Sequence, residues 1–255
     1  MDNPMSYQQM STIYDRLMND APYDQWQSFT INIISQLGKS VEKIVDLGCG
    51  TGQITTRLAR EGYRMTGVDY SSDMLSYAEQ RASTERLNIQ WIHQNLINLN
   101  GVINQDVAVS YCDVINYITQ EDELQTVFQN AADSLKIGGL FIFDVHSLFH
   151  VEHNMVNQTF GEVNDDVSYI WFCSEGEEQG EMYHDLTFFV ADQKKYSRFD
   201  EYHHQRTYSV DFYSHLLKKT GFKIKHLSGD FSLINENINA ESERIFIVAE
   251  KRSEK

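Results

Sequence analysis

The segment Ile44-Val45-Asp46-Leu47-Gly48-Cys49-Gly50-Thr51-Gly52 carries the clearest chemical signal in the chain. A short apolar run is cut off by glycines, so a buried strand delivers the backbone to a tight bend that opens a helix. Gly48 and Gly50 permit the sharp turn, and without a Cβ they let the backbone approach a ligand closely. The first turn of the following helix adds free N–H groups at its positive end. Spacing restricts the ligand. A dinucleotide fingerprint needs G-x-G-x-x-G, and here Gln53 stands where that pattern needs its last glycine. A nicotinamide oxidoreductase is therefore disfavoured. Cys49 reads as a small buried filler rather than a nucleophile.

Further polar residues fall where predicted strands end: Asp69 after the second, Asn95 after the third, Asp113 after the fourth and His146 after the fifth. Ligands of open α/β sheets sit at those carboxyl ends, beside the switch point. Each residue also has a plainer reading: Asp69 as a helix-capping acid, Asn95 as a loop amide, His146 as a solvated loop histidine. His150 and His153 flank Glu152 without an evident third ligand, so no metal is expected. His203 and His204 point to opposite faces of one strand.

The elements that must position these groups follow from pattern. Residues 25–37 form an amphipathic helix, with Asp24 able to cap its start and Gly38 to end it. Strands are expected at 43–47, 63–68, 89–93, 106–111 and 140–145, with helices at about 53–61 and 71–86 between them. Ser71 caps the latter. Leu124, Val127, Phe128, Ala131 and Leu135 mark a further helix, begun by a capping-box variant of Thr119 and Asp122 and ended by Gly138-Gly139. This alternation predicts a doubly wound parallel sheet. From about Met155 to Thr207 the pattern becomes aromatic and alternating, with strands at 167–174, 182–191 and 196–207 and turns at 175–180 and 191–194. Tyr169, Trp171, Phe172, Tyr183, Phe188 and Phe189 there read as core or dimer surface, or as the roof of a pocket. A helix at 209–220 and strands near 222–228 and 244–250 return to the sheet. The expected organisation is a core of residues 1–150 and 208–255 with an insert of 151–207.

Composition sets the outer limits. The 255 residues are 41% hydrophobic, enough for a sizeable core. No apolar run approaches a membrane span, and the first residues lack the pattern of a secretory leader, so a cytoplasmic protein without membrane contact is expected. Cys49, Cys112 and Cys173 form no CxxC pair. A net charge of −16 disfavours nucleic acid as a partner.

The D-x-G-x-G-x-G form beginning at Asp46 resembles motif I of class I S-adenosylmethionine (SAM)-dependent methyltransferases. Gly67-Val68-Asp69-Tyr70-Ser71, His93-Gln94-Asn95-Leu96 and Tyr111-Cys112-Asp113-Val114-Ile115-Asn116-Tyr117 stand where that family places further contacts. The likeness is good over about residues 40–147. Tyr14-Asp15-Arg16-Leu17-Met18, Pro22 to Trp26 and the insert narrow it to the bacterial YqeM-like branch, related in architecture to glycine N-methyltransferase. The resemblance implies a Rossmann-like seven-stranded α/β sheet with an inserted antiparallel meander. It implies SAM as cofactor, held by Asp46, Gly48, Cys49, Gly50 and Gly52. It gives Asp69 to the ribose hydroxyls, Tyr70 to the adenine edge, Met74 to the pocket wall, and Asn95 with Leu96 to the adenine. Asn95 replaces an aspartate frequent in the family, which removes charge from that contact. The backbone at Cys112 would line the methionine moiety, and Tyr14 or Tyr7 would reach the cofactor from an N-terminal cover, although packing of Tyr14 and Trp26 against the sheet is an equal alternative.

Methyl transfer from a sulfonium mainly requires alignment, so a catalytic residue need not be visible in sequence. Where the acceptor must lose a proton, Asp113, Tyr117 and His146 are the candidate bases. The leading reading is a methyltransferase acting on a small-molecule acceptor. A protein or RNA methyltransferase, and a non-catalytic SAM-binding module, are the alternatives. A homodimer is compatible with the aromatic insert.

Overall fold

The computed structural model describes residues 13–192 and 195–252. A short helix, α1 (residues 13–17), precedes α2 (Tyr23–Gln36). The core then alternates as β1 (Lys43–Leu47), α3 (Gln53–Arg60), β2 (Arg64–Asp69), α4 (Ser72–Thr84), β3 (Gln90–His93), β4 (Gln105–Ser110), α5 (Glu121–Ser134) and β5 (Leu135–His146). A π-helical turn (His150–Met155) leads into β6 (Gln158–Val163), β7 (Val167–Glu175), β8 (Glu181–Asp192) and β9 (Lys195–Arg206). The chain closes with α6 (Val210–Lys219), β10 (Phe222–Gly229) and β11 (Arg244–Lys251).

The main sheet has the order β10-β11-β5-β4-β1-β2-β3. β1 pairs in parallel with both β2 and β4, so the chain reverses its winding between β1 and β4 and opens a crevice at their carboxyl ends. β11 runs antiparallel to both its neighbours and sets Arg244 directly opposite His146 of β5. Burial on both faces explains the continuous apolar runs. In β5, Phe141, Phe143 and Val145 pack with α5 and α6, while Leu140 and Ile142 face α2 and α3 on the other side.

Helix starts differ from expectation in two places. Pro22, not Asp24, occupies the N-cap of α2, and Asp24 lies in the first turn, where it accepts from Arg57 Nε at 3.0 Å. Gln120 is the N-cap of α5 with no side-chain bond. Three first-turn acids, Glu121, Asp122 and Glu123, instead complement the helix dipole. Nor do Gly138-Gly139 end that helix. It stops at Ser134, and the glycines form an irregular stretch of β5, where the pairing to β4 slips between Gln105–Leu135 and Val107–Leu140. A Cβ on Gly139 would lie 2.9 Å from the Lys136 carbonyl oxygen.

The insert is a four-stranded antiparallel sheet in the order β6-β7-β8-β9. β6 is one strand more than the sequence pattern revealed, because it is an edge strand exposed along nearly all its length and has no apolar face to alternate. The turn expected at 191–194 falls partly on residues outside the described set. The inner face of the insert packs Val167 and Phe188 against Ile13 of α1, so the N-terminal helix is seated between the insert and the core.

Candidate active site

The bend after β1 is built by left-handed glycines and stitched to β2. Gly48, Gly50 and Gly52 have φ of 82°, 53° and 75°, and the N–H groups of Gly48 and Cys49 donate to the Val68 carbonyl at 2.8 and 3.0 Å. The three glycines then divide in purpose. A Cβ on Gly48 would strike Val114 at 2.4 Å and one on Gly52 would meet Trp91 at 2.9 Å, whereas one on Gly50 would meet nothing within 4 Å. Gly50 therefore presents bare backbone to open space, while its neighbours permit close packing beneath the loop.

Asp69 lies directly beside the bend. Its Oδ2 accepts from Gly50 N–H at 2.8 Å and its Oδ1 from Ser71 N–H at 2.8 Å. Burial raises its carboxyl above the usual range, against the lowering effect of these backbone bonds. A carboxylate offers about four lone-pair sites, so Asp69 keeps acceptor capacity for hydroxyl donors. Asp46 is fully enclosed below. Thr55 donates to its Oδ2 at 2.6 Å, and burial pushes its carboxyl up to about 7. Ser71 caps α4 as expected, accepting from Met74 N–H at 3.2 Å.

Other predicted residues arrange themselves around this bend. Tyr70 projects to solvent at 67% exposure, and its carbonyl bonds the His93 ring at 2.7 Å. Met74, Cys49 and Leu96 are buried. Asn95 turns its Oδ1 to the Ile97 N–H at 2.9 Å, the cap of a short 3₁₀ turn, which is the loop-amide arrangement. Cys112 and Asp113 are consecutive non-glycine residues with φ of 57° and 55°. Such backbone costs about 1–3 kcal/mol per residue and collects at functional sites. Cys49 and Cys112 are poor nucleophiles, since burial and then nearby carboxylates push both thiols up. The Tyr14 hydroxyl is raised chiefly by burial, and further by the neighbouring Cys112, Tyr23, Tyr117 and Asp113. Tyr7 lies outside the described residues.

Asp15, in the segment Tyr14-Asp15-Arg16, has a role that the sequence does not reveal. It accepts from Thr51 Oγ1 at 2.7 Å and Gln53 Nε2 at 3.0 Å, and it pairs with Arg81, which also donates to the Thr51 carbonyl. One carboxylate thereby fastens α1 to the glycine loop and to α4. The acid in Tyr14-Asp15-Arg16 was visible in the sequence, but its partners lie 36 to 66 residues away.

A second polar centre occupies the ends of β4, β5 and β11. Both terminal nitrogens of Arg244 donate to Asp113 Oδ1 at 3.2 Å, and Nη1 also contacts Asp144 Oδ2. His146 Nε2 lies 3.7 Å from Asp113 Oδ2. Burial would raise the Asp113 carboxyl, but His146, Arg244 and Gln205 together hold it well below the usual carboxylate range. A directed chain reaches this point from the insert. Trp171 Nε1–H, which can only donate, meets His184 Nδ1 at 3.0 Å, so His184 Nε2–H faces Gln205 Oε1 at 3.2 Å. Gln205 Nε2–H then donates to Asp113 Oδ2 at 3.0 Å. His184 is neutral, lowered to about 4 chiefly by burial. Tyr117 is half out in solvent and edge-on to His203, with ring centroids 5.8 Å apart. Beside Arg244 opens a cleft of about 550 Å³ walled by Trp26, His146, His150, Asp230, Glu241 and Glu243, among others. Among the described residues no group of three or more His, Cys, Asp or Glu side chains is arranged to hold a metal, and no helix is long and apolar enough to cross a membrane.

A glycine bend with an acidic residue at the end of the next strand, in a sheet of this order, is the arrangement expected of a SAM-dependent methyltransferase, and the chain belongs to that family. Residues 44–139 match the family described as "Methyltransferase domain". The chain is 39% identical to a protein of Geobacillus sp. (strain WCH70) that carries the name "Putative methyltransferase", over 97% of this chain and 100% of that one. It is 38% identical to "Putative methyltransferase YqeM" of Bacillus subtilis (strain 168), over 97% and 98% of the two chains. The crystal structure of a SAM-dependent methyltransferase from Clostridium acetobutylicum superposes with a TM-score of 0.88 at 30% identity, covering 97% and 100% of the two chains. SAM is the cofactor of this family. The bare backbone at Gly50 and the acceptor capacity of Asp69 fit its sugar, and Asp46, Cys49, Gly48 and Gly52 build the support beneath.

Proposed function

We propose that this enzyme methylates a small-molecule acceptor bound in the cleft beside His146. The observation that carries the reading is the position of that cleft. It lies at the carboxyl end of β5, with His146 on its wall and Asp113, the neighbour of Cys112, behind His146. Its volume of about 550 Å³ suits a metabolite-sized ligand. The net charge of −16 opposes an RNA substrate. Two solved structures of the same fold, an amino pentose methyltransferase from Micromonospora echinaspora (TM-score 0.75, 13% identity) and a sugar N-methyltransferase from Streptoalloteichus (TM-score 0.76, 14% identity), act on small molecules.

In this reading Asp69 accepts from the ribose hydroxyls, Gly50 gives the backbone its close approach, and Tyr70 covers the adenine edge. Leu96 and Met74 wall the adenine side, and Asn95 offers its remaining lone pair. The strained backbone at Cys112 runs along the methionine end, and Tyr14 closes over it. Bound SAM supplies an electrophilic methyl group on a sulfonium. The protein's share is alignment and exclusion of water, where orientation alone is worth up to about 7–11 kcal/mol.

The test uses donor carrying a labelled methyl group and a bacterial extract separated by size. Label entering the low-molecular-weight fraction is the expected result. Label confined to protein or RNA refutes the reading. Thermal shifts with SAM and S-adenosylhomocysteine check the binding residues. At a hundredfold excess over Kd a ligand stabilises by about 2.7 kcal/mol, and Asp69→Ala should lose most of that shift.

A further inference from the structure

The cleft is unusual in the balance of its charges. Among the described residues on its walls, Arg244 is the one permanently cationic side chain, against Asp230, Glu241 and Glu243. That guanidinium is already committed. It sits between Asp113 and Asp144, so one positive charge faces two carboxylates before the rim is counted. Asp144 is fully buried, and its Oδ1 has no hydrogen-bond partner among the described residues. Asp230 accepts from the N–H groups of Glu243 and Arg244, at 3.1 and 3.0 Å, and stands exposed at the rim with Glu241 and Glu243, the last of which lies 3.8 Å from His150. The cleft therefore has an anionic rim, and the one permanent cation on its wall is already balanced by the carboxylates behind it.

An anionic field excludes some acceptors. A carboxylate, phenolate or thiolate would be repelled on entry, and a neutral alcohol would gain nothing from the charge. A cationic group is attracted. Yet the bound methyl donor is itself a cation, and bringing a second cation to it costs energy unless negative charge surrounds both. The acid around this cleft suits a cationic acceptor brought near a cationic donor.

We propose, building on the reading of this cleft as the acceptor site, that the acceptor is a small aliphatic amine that enters as its ammonium ion, and that His146 is the general base that removes its proton. His146 lines the cleft and is 8% exposed. Its Nε2 lies 3.7 Å from Asp113 Oδ2, beyond hydrogen-bond reach, so the carboxylate acts on the ring as a nearby charge; in the Nε2–H tautomer that this charge favours, the Nδ1 lone pair is the acceptor. The arrangement follows the logic of a carboxylate-oriented histidine, in which the acid balances the charge that the imidazolium gains. Gln205 and Arg244 hold Asp113 in place from two sides. His150 stacks on His146, with ring centroids 5.2 Å apart, and restricts its rotation.

The step balances. An ammonium R–NH3⁺ gives one proton to His146 Nδ1 and becomes R–NH2. The amine lone pair forms the new N–C bond as the C–S bond breaks, and that electron pair leaves on sulfur. The products are R–NH2–CH3⁺, S-adenosylhomocysteine and an imidazolium that returns its proton to solvent through the open cleft.

The experiment uses the full chain with SAM and a panel of small aliphatic amines, including amino sugars and amino alcohols. Each is paired with the hydroxyl compound of the same skeleton, and phenols, thiols and carboxylic acids complete the panel. Products are identified by mass spectrometry. Binding is read separately, as the thermal shift each compound adds to protein saturated with S-adenosylhomocysteine. The expected result is N-methylation of an amine whose hydroxyl partner neither binds nor reacts. The paired substitution Glu241→Gln/Glu243→Gln should raise KM for that amine several-fold, while His146→Asn lowers kcat by about 10²–10⁴-fold. Methylation of an alcohol, phenol, thiol or carboxylate instead of an amine overturns the proposal. So does protein that binds S-adenosylhomocysteine but neither binds nor methylates any amine, an outcome that leaves the methyl-donor site intact. Failure to bind S-adenosylhomocysteine would remove the underlying reading as well.

Discussion

Arg244→Met tests whether the second polar centre is held together as its geometry indicates. The methionine keeps much of the arginine stem's volume against Trp26, over whose ring the guanidinium carbon lies at 5.4 Å, so packing loss is small. Charge loss is large. Asp113 and Asp144 are left facing each other across the place where the guanidinium stood, one largely and one fully buried. Breaking a buried pair from one side costs about 3–5 kcal/mol. The lower end applies here, because burial already raises the Asp144 carboxyl and, without Arg244 to oppose it, Asp144 takes up a proton. A loss of about 3 kcal/mol lowers Tm by roughly 6–12 °C at this chain length. Thermal unfolding of the ligand-free protein measures it. Adding Asp144→Asn to the variant removes the buried carboxyl that must otherwise take up that proton and should restore at least about 1 kcal/mol. The same substitution alone should cost less, since Arg244 keeps Asp113. The protonation has a definite sign: a carboxyl raised in the folded state stabilises below its unfolded pKa and loses that contribution as pH rises. The deficit of Arg244→Met must therefore be larger at pH near 8 than near 5. A variant within about 0.5 kcal/mol of the parent at both pH values would refute the account of the centre as a mutually dependent cluster.

Three further outcomes follow from the site. Gly67→Ala places a methyl 2.3 Å from Trp91 Cζ3 and 2.9 Å from Cys49 Sγ, and overpacking of this kind costs about 1–3 kcal/mol, seen as a lower Tm and partly relieved by a smaller residue at Trp91. Asp15→Ala frees Thr51, Gln53 and Arg81 together and should weaken S-adenosylhomocysteine binding by about 1–2 kcal/mol in calorimetry, whereas an unchanged Kd would show that α1 does not support the loop. Asp46, with its carboxyl at about 7 against an unfolded value near 4, makes the protein lose stability as pH rises between those values; Asp46→Asn keeps an acceptor for Thr55 and should flatten that slope in pH-dependent denaturation.

The parts legible in sequence are those whose cause is local. Gly48-x-Gly50-x-Gly52 fixes the bend because positive φ is a property of single residues, and the alternation of Phe141, Ile142 and Phe143 shows a strand covered on both faces. Ser71 caps α4 through an atom three residues away. Sequence and structure part where a local signal has two meanings. Gly138-Gly139 suits a helix end, but it equally suits the slip in β5 pairing, and the close approach of Gly139 to the Lys136 and Asp106 carbonyls decides for the second.

The polar centre is legible only in part: Asp113 and His146 stand out as strand-end groups, but Arg244 and Gln205 do not, for a different reason. Asp113 and Arg244 are 131 positions apart, and Gln205 and Asp113 are 92 apart. Nothing in the spacing of either pair carries information, because their meeting depends on β11 returning antiparallel beside β5 and on β9 reaching back across the sheet. The same fact explains why the cofactor was easier to infer than the acceptor. One strand–turn–helix unit and the end of the next strand suffice for the first. The second requires α2, β4, β5, β9 and β11 to converge, and the charge of the resulting cleft exists only once they have done so.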